Sequence, residues 1–100
     1  MPKCEIKFTE AARDDLTEIV DYIANDNQIA AMSLADEIEK KILLLADFSD
    51  MGVNPRKSRL AIKGYKILII DDYLVFYVVA TNIVEIRRIV SSKRNYTKLL

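Results

Sequence analysis

Seven basic side chains and one tyrosine in the C-terminal half are the groups best placed to do chemistry: Arg56, Lys57, Arg59, Lys66, Arg88, Lys93, Arg94 and Tyr96. Arginine and lysine neutralise developing negative charge on a phosphoryl group, and tyrosine or lysine can move a proton. The chemistry open to such a set is metal-free phosphoryl transfer, which Arg56, Lys57, Arg59, Lys66, Arg94 and Tyr96 could supply. The other use is recognition of an acidic partner, by Arg56, Lys57, Arg59, Lys66, Arg88, Lys93 and Arg94. Tyr96 stands beyond the last apolar run, where it can stack on a base or anchor the chain end to the sheet.

Composition narrows the remaining choices. The chain has no histidine and one cysteine. That excludes Ser-His-Asp triads, Cys-His dyads, HExxH zinc sites and any intramolecular disulfide. No metal and no cofactor are expected. Gly64 stands alone, so no glycine-rich phosphate loop is present. Asp71 and Asp72 read as turn formers and not as an acid–base pair. Cys4 reads as a buried strand thiol.

Three apolar runs must position these groups: Lys66–Ile70, Tyr73–Val79 and Ile83–Val90. They are separated by Asp71-Asp72 and Thr81-Asn82 and read as consecutive antiparallel strands. Phe76 and Tyr77 point to opposite sides of their strand, one inward and one outward. In Ile83–Val90 neither side is cleanly apolar, so alternation leaves open which arginine faces out. An ion pair with Glu85 or with an acid of the N-terminal half is the alternative role for either.

Ahead of these runs, Cys4–Phe8 alternates as a half-buried strand. Thr9 offers an N-cap, and Ala12, Leu16, Ile19, Val20 and Ile23 recur at helical spacing over about four turns. Asn25-Asp26-Asn27 breaks the pattern. Ala31, Leu34, Ala35, Ile38, Ile42 and Leu45 then define a second helix from near Gln28 to near Ala46. Residues 48–55 form a loop. Leu60–Ile62 reads as a short strand or an extension of the next one, and Lys63-Gly64 as a turn. The order is β-α-α-β-β-β, an α+β fold with a helical hairpin on one face of a mainly antiparallel sheet. The other face is expected to be uncovered, with polar and cationic positions.

One hundred residues, about half of them apolar, suit one domain over 1–100 with its own core. No apolar run reaches membrane-spanning length and residues 1–10 lack a signal-peptide pattern, so the chain is expected to be cytoplasmic with no membrane partner. The net charge of zero hides a division. Residues 1–50 hold five Lys/Arg against twelve Asp/Glu, a net of −7. Residues 51–100 hold ten against three, a net of +7. Such a split points to an anionic partner or to attraction between the halves.

The FTEAARDDLTEIVDYIA opening, the YLVFY strand, the EIRRIVSSKRNYTKLL ending and the element order together resemble the RelE/ParE superfamily of type II toxin–antitoxin toxins. The resemblance spans nearly the whole chain. It implies a small toxin neutralised by direct binding of a cognate antitoxin. RelE-like members cut mRNA on the ribosome without a metal, using basic sheet residues and a C-terminal tyrosine or histidine; the resemblance implies Arg94 and Tyr96 as the catalytic residues if this chain is such a nuclease. ParE-like members share the fold, lack that catalytic set and poison DNA gyrase. Here Ser91 stands where many members carry histidine or an aromatic, Lys66 where arginine is usual, and Asn95 where aspartate is common. The isoelectric point near 6.2 is low for a protein that works inside a polyanion. These departures favour the ParE-like reading over the ribosome-dependent endoribonuclease, which is the alternative. An acidic antitoxin that complements the +7 half and buries Lys66, Arg88 or Arg94 is the expected partner.

Overall fold

The computed structural model describes residues 3–55 and 58–93. In chain order these form β1 (Glu5–Phe8), α1 (Glu10–Ala24), α2 (Gln28–Leu43) with a 3₁₀ turn at Leu44–Ala46, α3 (Ser58–Ile62), β2 (Lys66–Ile70), β3 (Tyr73–Ala80) and β4 (Ile83–Ser91). The sheet order is β1-β4-β3-β2. β2–β3 and β3–β4 are antiparallel, and β1 lies parallel to β4. A parallel neighbour needs a crossover, and the helical hairpin supplies it.

Both long helices start at side-chain caps, Thr9 as expected and Asn27 at the end of the expected break. The Ala12 amide donates to Thr9 Oγ1 at 3.1 Å, and the Ala30 amide donates to Asn27 Oδ1 at 3.0 Å. Thr9 also ties α1 to the sheet, because its N–H donates to the Ile86 carbonyl at 3.0 Å and its hydroxyl to the Arg87 carbonyl at 2.9 Å. The apolar stripes of the hairpin bury Ala12, Ile38, Ile42 and Leu45 against Leu68, Ile70, Val75, Tyr77, Val84, Ile86 and Ile89. Cys4 precedes β1 and is half-buried at the margin of this core.

The opposite face departs from expectation. It is neither uncovered nor uniformly polar: Leu60 packs on Ile67, Phe76 and Val90, with Tyr65 and Leu74 at the edge. The Tyr65 ring stands edge-on to Phe76, centroids 6.3 Å apart at 81°. Phe76 and Tyr77 do point to opposite sides, but both are buried, one in each core. Near-continuous apolar runs are what a strand covered on both faces requires.

The cover comes from α3, where an extended segment was expected at Leu60–Ile62. Its end explains why. Gly64 takes φ 79°, its N–H donates to the Ala61 carbonyl at 3.0 Å, and the Tyr65 N–H reaches the Leu60 carbonyl at 3.2 Å. This is a Schellman closure, and the Leu60–Tyr65 pair gives it the usual apolar contact.

In β4 the alternation breaks once. Phe76 pairs with Arg88 and Tyr77 with Ile86, so Arg87 is an extra, bulged residue. Val84, Ile86 and Ile89 can then all face the helices, while Arg88 shares the face of Phe76. A strict period of two could not sort this strand because the strand itself does not keep one.

Candidate functional site

Arg56, Lys57, Arg94 and Tyr96 lie outside the described residues. The remaining basic groups come from four different places. Arg59 is exposed on α3, Lys66 opens β2, Arg88 follows the bulge in β4, and Lys93 is exposed in the turn after β4. Cross-strand partners share a face, and Lys66 pairs with Tyr77 whereas Arg88 pairs with Phe76. The sheet therefore separates Lys66 from Arg88.

Each of these two is engaged locally. Lys66 Nζ donates to Asn54 Oδ1 at 3.1 Å and lies 3.9 Å from Asp50 Oδ1, so it fastens the 48–55 loop. Arg88 forms a fork with Asp15 of α1: Nε to Oδ2 at 2.7 Å and Nη2 to Oδ1 at 2.9 Å. The hydrogen bond from Asp15 raises the Arg88 pKa above its ordinary value, partial burial opposes this, and the nearby charges of Asp15 and Glu18 add to it. Arg88 is thus paired with an acid of the N-terminal half.

Asp15 also accepts the Ile89 N–H at 3.0 Å. β1 ends at Phe8 opposite Ile86, so β4 beyond that point has no strand on this side. Asp15 takes the edge N–H that a longer β1 would have satisfied. A groove of about 650 Å³ opens beside this cap, between α1 and the ends of β3 and β4. Ile19, Tyr22, Tyr73 and Ile89 give it apolar surface, and Asp15 and Glu18 give it charge. Sequence reasoning did not single out Asp15 or Glu18, the two α1 acids that border this groove. The signal was Tyr22, a large aromatic outside the apolar stripe, which is 81 % exposed.

The 48–55 loop is built around a buried phenol. Tyr77 Oη donates to the Ser49 carbonyl at 2.8 Å and accepts the Gly52 N–H at 2.9 Å. Burial raises the Tyr77 pKa, the Gly52 N–H works against it, and the Asp50 charge raises it further. Gly52 is required by this approach, since a Cβ there would lie 2.5 Å from Tyr77 Oη and 2.9 Å from the Ile67 carbonyl oxygen.

A family model for the ParE toxin of the parDE type II toxin–antitoxin system matches residues 6–96. The chain belongs to the ParE toxin family. It is the toxin member of a type II module, and its counterpart is an antitoxin protein. A solved structure titled as the chromosomal ParDE TA system from P. aeruginosa is similar to this ParE-family chain, with a TM-score of 0.75 and 18 % identity. The match covers 91 % of this chain and 98 % of that one, and it speaks for the fold. No curated protein matches significantly. Among the described residues no helix is long and apolar enough to cross a membrane.

Proposed function

We propose that this ParE-family toxin is a protein-binding inhibitor of DNA gyrase, held inactive by its cognate antitoxin in the cytoplasm. The family match over residues 6–96 carries this reading. Two features favour it over ribosome-dependent mRNA cleavage. Arg88 forks onto Asp15, and Lys66 emerges on the other side of the sheet, so these two cations do not converge on one phosphate. The net charge of zero is also poor for a nuclease that must enter a polyanion.

Purified gyrase supercoiling measured against rising toxin tests the reading. Loss of supercoiling, restored by the antitoxin encoded beside the toxin, is the expected result. Unchanged supercoiling together with mRNA cleavage on programmed ribosomes, lost in Arg94→Ala and Tyr96→Phe, would establish the endoribonuclease instead.

A further inference from the structure

α2 carries two apolar stripes, where packing on the core needs only one. The inner stripe buries Ala31, Ile38 and Ile42. The outer one stands in solvent: Ile29 is 79 % exposed, Met32 67 % and Leu43 54 %. Ile29, Met32, Asp36, Lys40 and Leu43 recur at helical spacing and so share one face, with Glu37 and Glu39 at its flanks. From Ile29 to Leu43 that face is about 21 Å long at 1.5 Å per residue. Leu44 and Phe48, both exposed, follow at its end. A single exposed apolar side chain needs no explanation, but a row of them along one helix face does.

Shape and charge both differ between the two ends of this face. Towards its N-terminal end lies a shallow concavity of about 520 Å³, lined by Ile29, Met32, Ser33 and Asp36. Towards its C-terminal end the exposed side chains are Leu43, Leu44 and Phe48. Midway, Lys40 Nζ lies 3.1 Å from Asp36 Oδ2, and both side chains are largely in solvent. An acid followed by a base four residues on is matched by the same helix turned end for end.

We propose that the outer face of α2 is a self-association surface, on which a second copy of this chain packs its own α2 antiparallel about a two-fold axis. With the crossing centred at Ile38, Asp36 of each copy lies level with Lys40 of the other, which gives two equivalent ion pairs. The same register brings Leu43 and Leu44 of each copy level with Ser33 and Met32 of the other, at the concavity. A parallel crossing would set Asp36 against Asp36 and Lys40 against Lys40. A partner carrying one sign of charge would be attracted at one of the two positions and repelled at the other. One helix face on another is a small interface, so the dimer is weak and depends on concentration. The inference is independent of the gyrase reading.

Sedimentation equilibrium of the purified toxin over a range of concentrations tests this, and a monomer–dimer equilibrium is the expected result. Asp36→Lys or Lys40→Asp alone sets like charges opposite each other and should weaken the dimer roughly tenfold or more. An equimolar mixture of these two variants should dimerise again, because each copy then meets only opposite charges. Leu43→Ser should weaken the wild-type dimer. Circular dichroism melts are expected to show every variant folded, since Asp36, Lys40 and Leu43 are all exposed. A monomer at every concentration, a dimer indifferent to both single reversals, or no recovery on mixing overturns the proposal. So does a monomeric wild-type toxin whose antitoxin binding is weakened by Leu43→Ser, which would assign the face to the antitoxin.

Discussion

Tyr77 is a fully buried strand residue whose hydroxyl reaches out of the core to hold a loop. Tyr77→Phe keeps the ring but leaves the Gly52 N–H and the Ser49 carbonyl without their partner. That should cost about 1–3 kcal/mol, read as a drop in denaturant midpoint at unchanged slope. The same phenol gives a pH signature. Its folded pKa is raised above the ordinary 10.0, so its contribution is complete below pH 10 and is lost as pH climbs through the folded value. Wild-type stability should therefore fall above pH 10 more steeply than that of Tyr77→Phe. The ring was legible in the sequence as a strand aromatic. Its loop-holding role was not, because the partners are two backbone groups 25 and 28 residues away.

Among the elements, the helical hairpin was the most legible. Thr9 caps where expected, the helices part at Asn25-Asp26-Asn27 as expected, and α2 with its 3₁₀ extension ends at Ala46. Regular periodicity and short polar caps are local signals, and α1 and α2 are long enough to average them. α3 has five residues, too few for periodicity, so its apolar content read as strand. The usable clue was the leucine four residues before Gly64. Gly64→Ala would force a side chain into φ 79° and should cost about 1 kcal/mol, with Tyr65–Phe76 packing loosened in near-ultraviolet circular dichroism. The β2–β3 turn carries the opposite kind of defect. Asp71 sits at φ 51°, and its side chain is the hydrogen-bonding neighbour of Glu37 of α2. That hydrogen bond raises the Glu37 pKa above 4.5, helped by partial burial and the Asp71 charge and opposed by Lys41. A raised carboxyl is favourable while protonated, and its benefit is lost as pH rises through the folded value. At neutral pH the two carboxylates repel. Asp71→Asn tolerates the same backbone and removes the repulsion, so its melting temperature should rise at pH 7 and rise less at pH 4.

For the whole molecule, the −7 and +7 halves are joined in part by their own attraction, most firmly through Asp15 and Arg88. Their side chains are 11 % and 23 % exposed, unlike the Asp36–Lys40 pair on the surface of α2 at 64 % and 75 %. Asp15→Ala takes two hydrogen bonds from Arg88 and one from the Ile89 amide, and should cost about 2 kcal/mol with little relief from added salt. Disrupting Asp36–Lys40 should change stability by less than about 0.5 kcal/mol. The charge split itself was plain in the sequence. Which acid meets which base was not, because the bulge at Arg87 decides which way Arg88 turns, and a bulge is set by the pairing of β4 with β3, a strand apart in the chain.

The parallel pairing of β1 with β4 also sets an order in time. Glu5 has its partner at Ile83, so the first strand made waits for the last. β4 is an interior strand with a neighbour on each side, and until it is made the sheet is two separate pieces. Closing so long a loop before any reward is gained slows folding. During synthesis the helical hairpin can form early, yet its apolar stripe has no complete sheet to cover until β4 has left the ribosome.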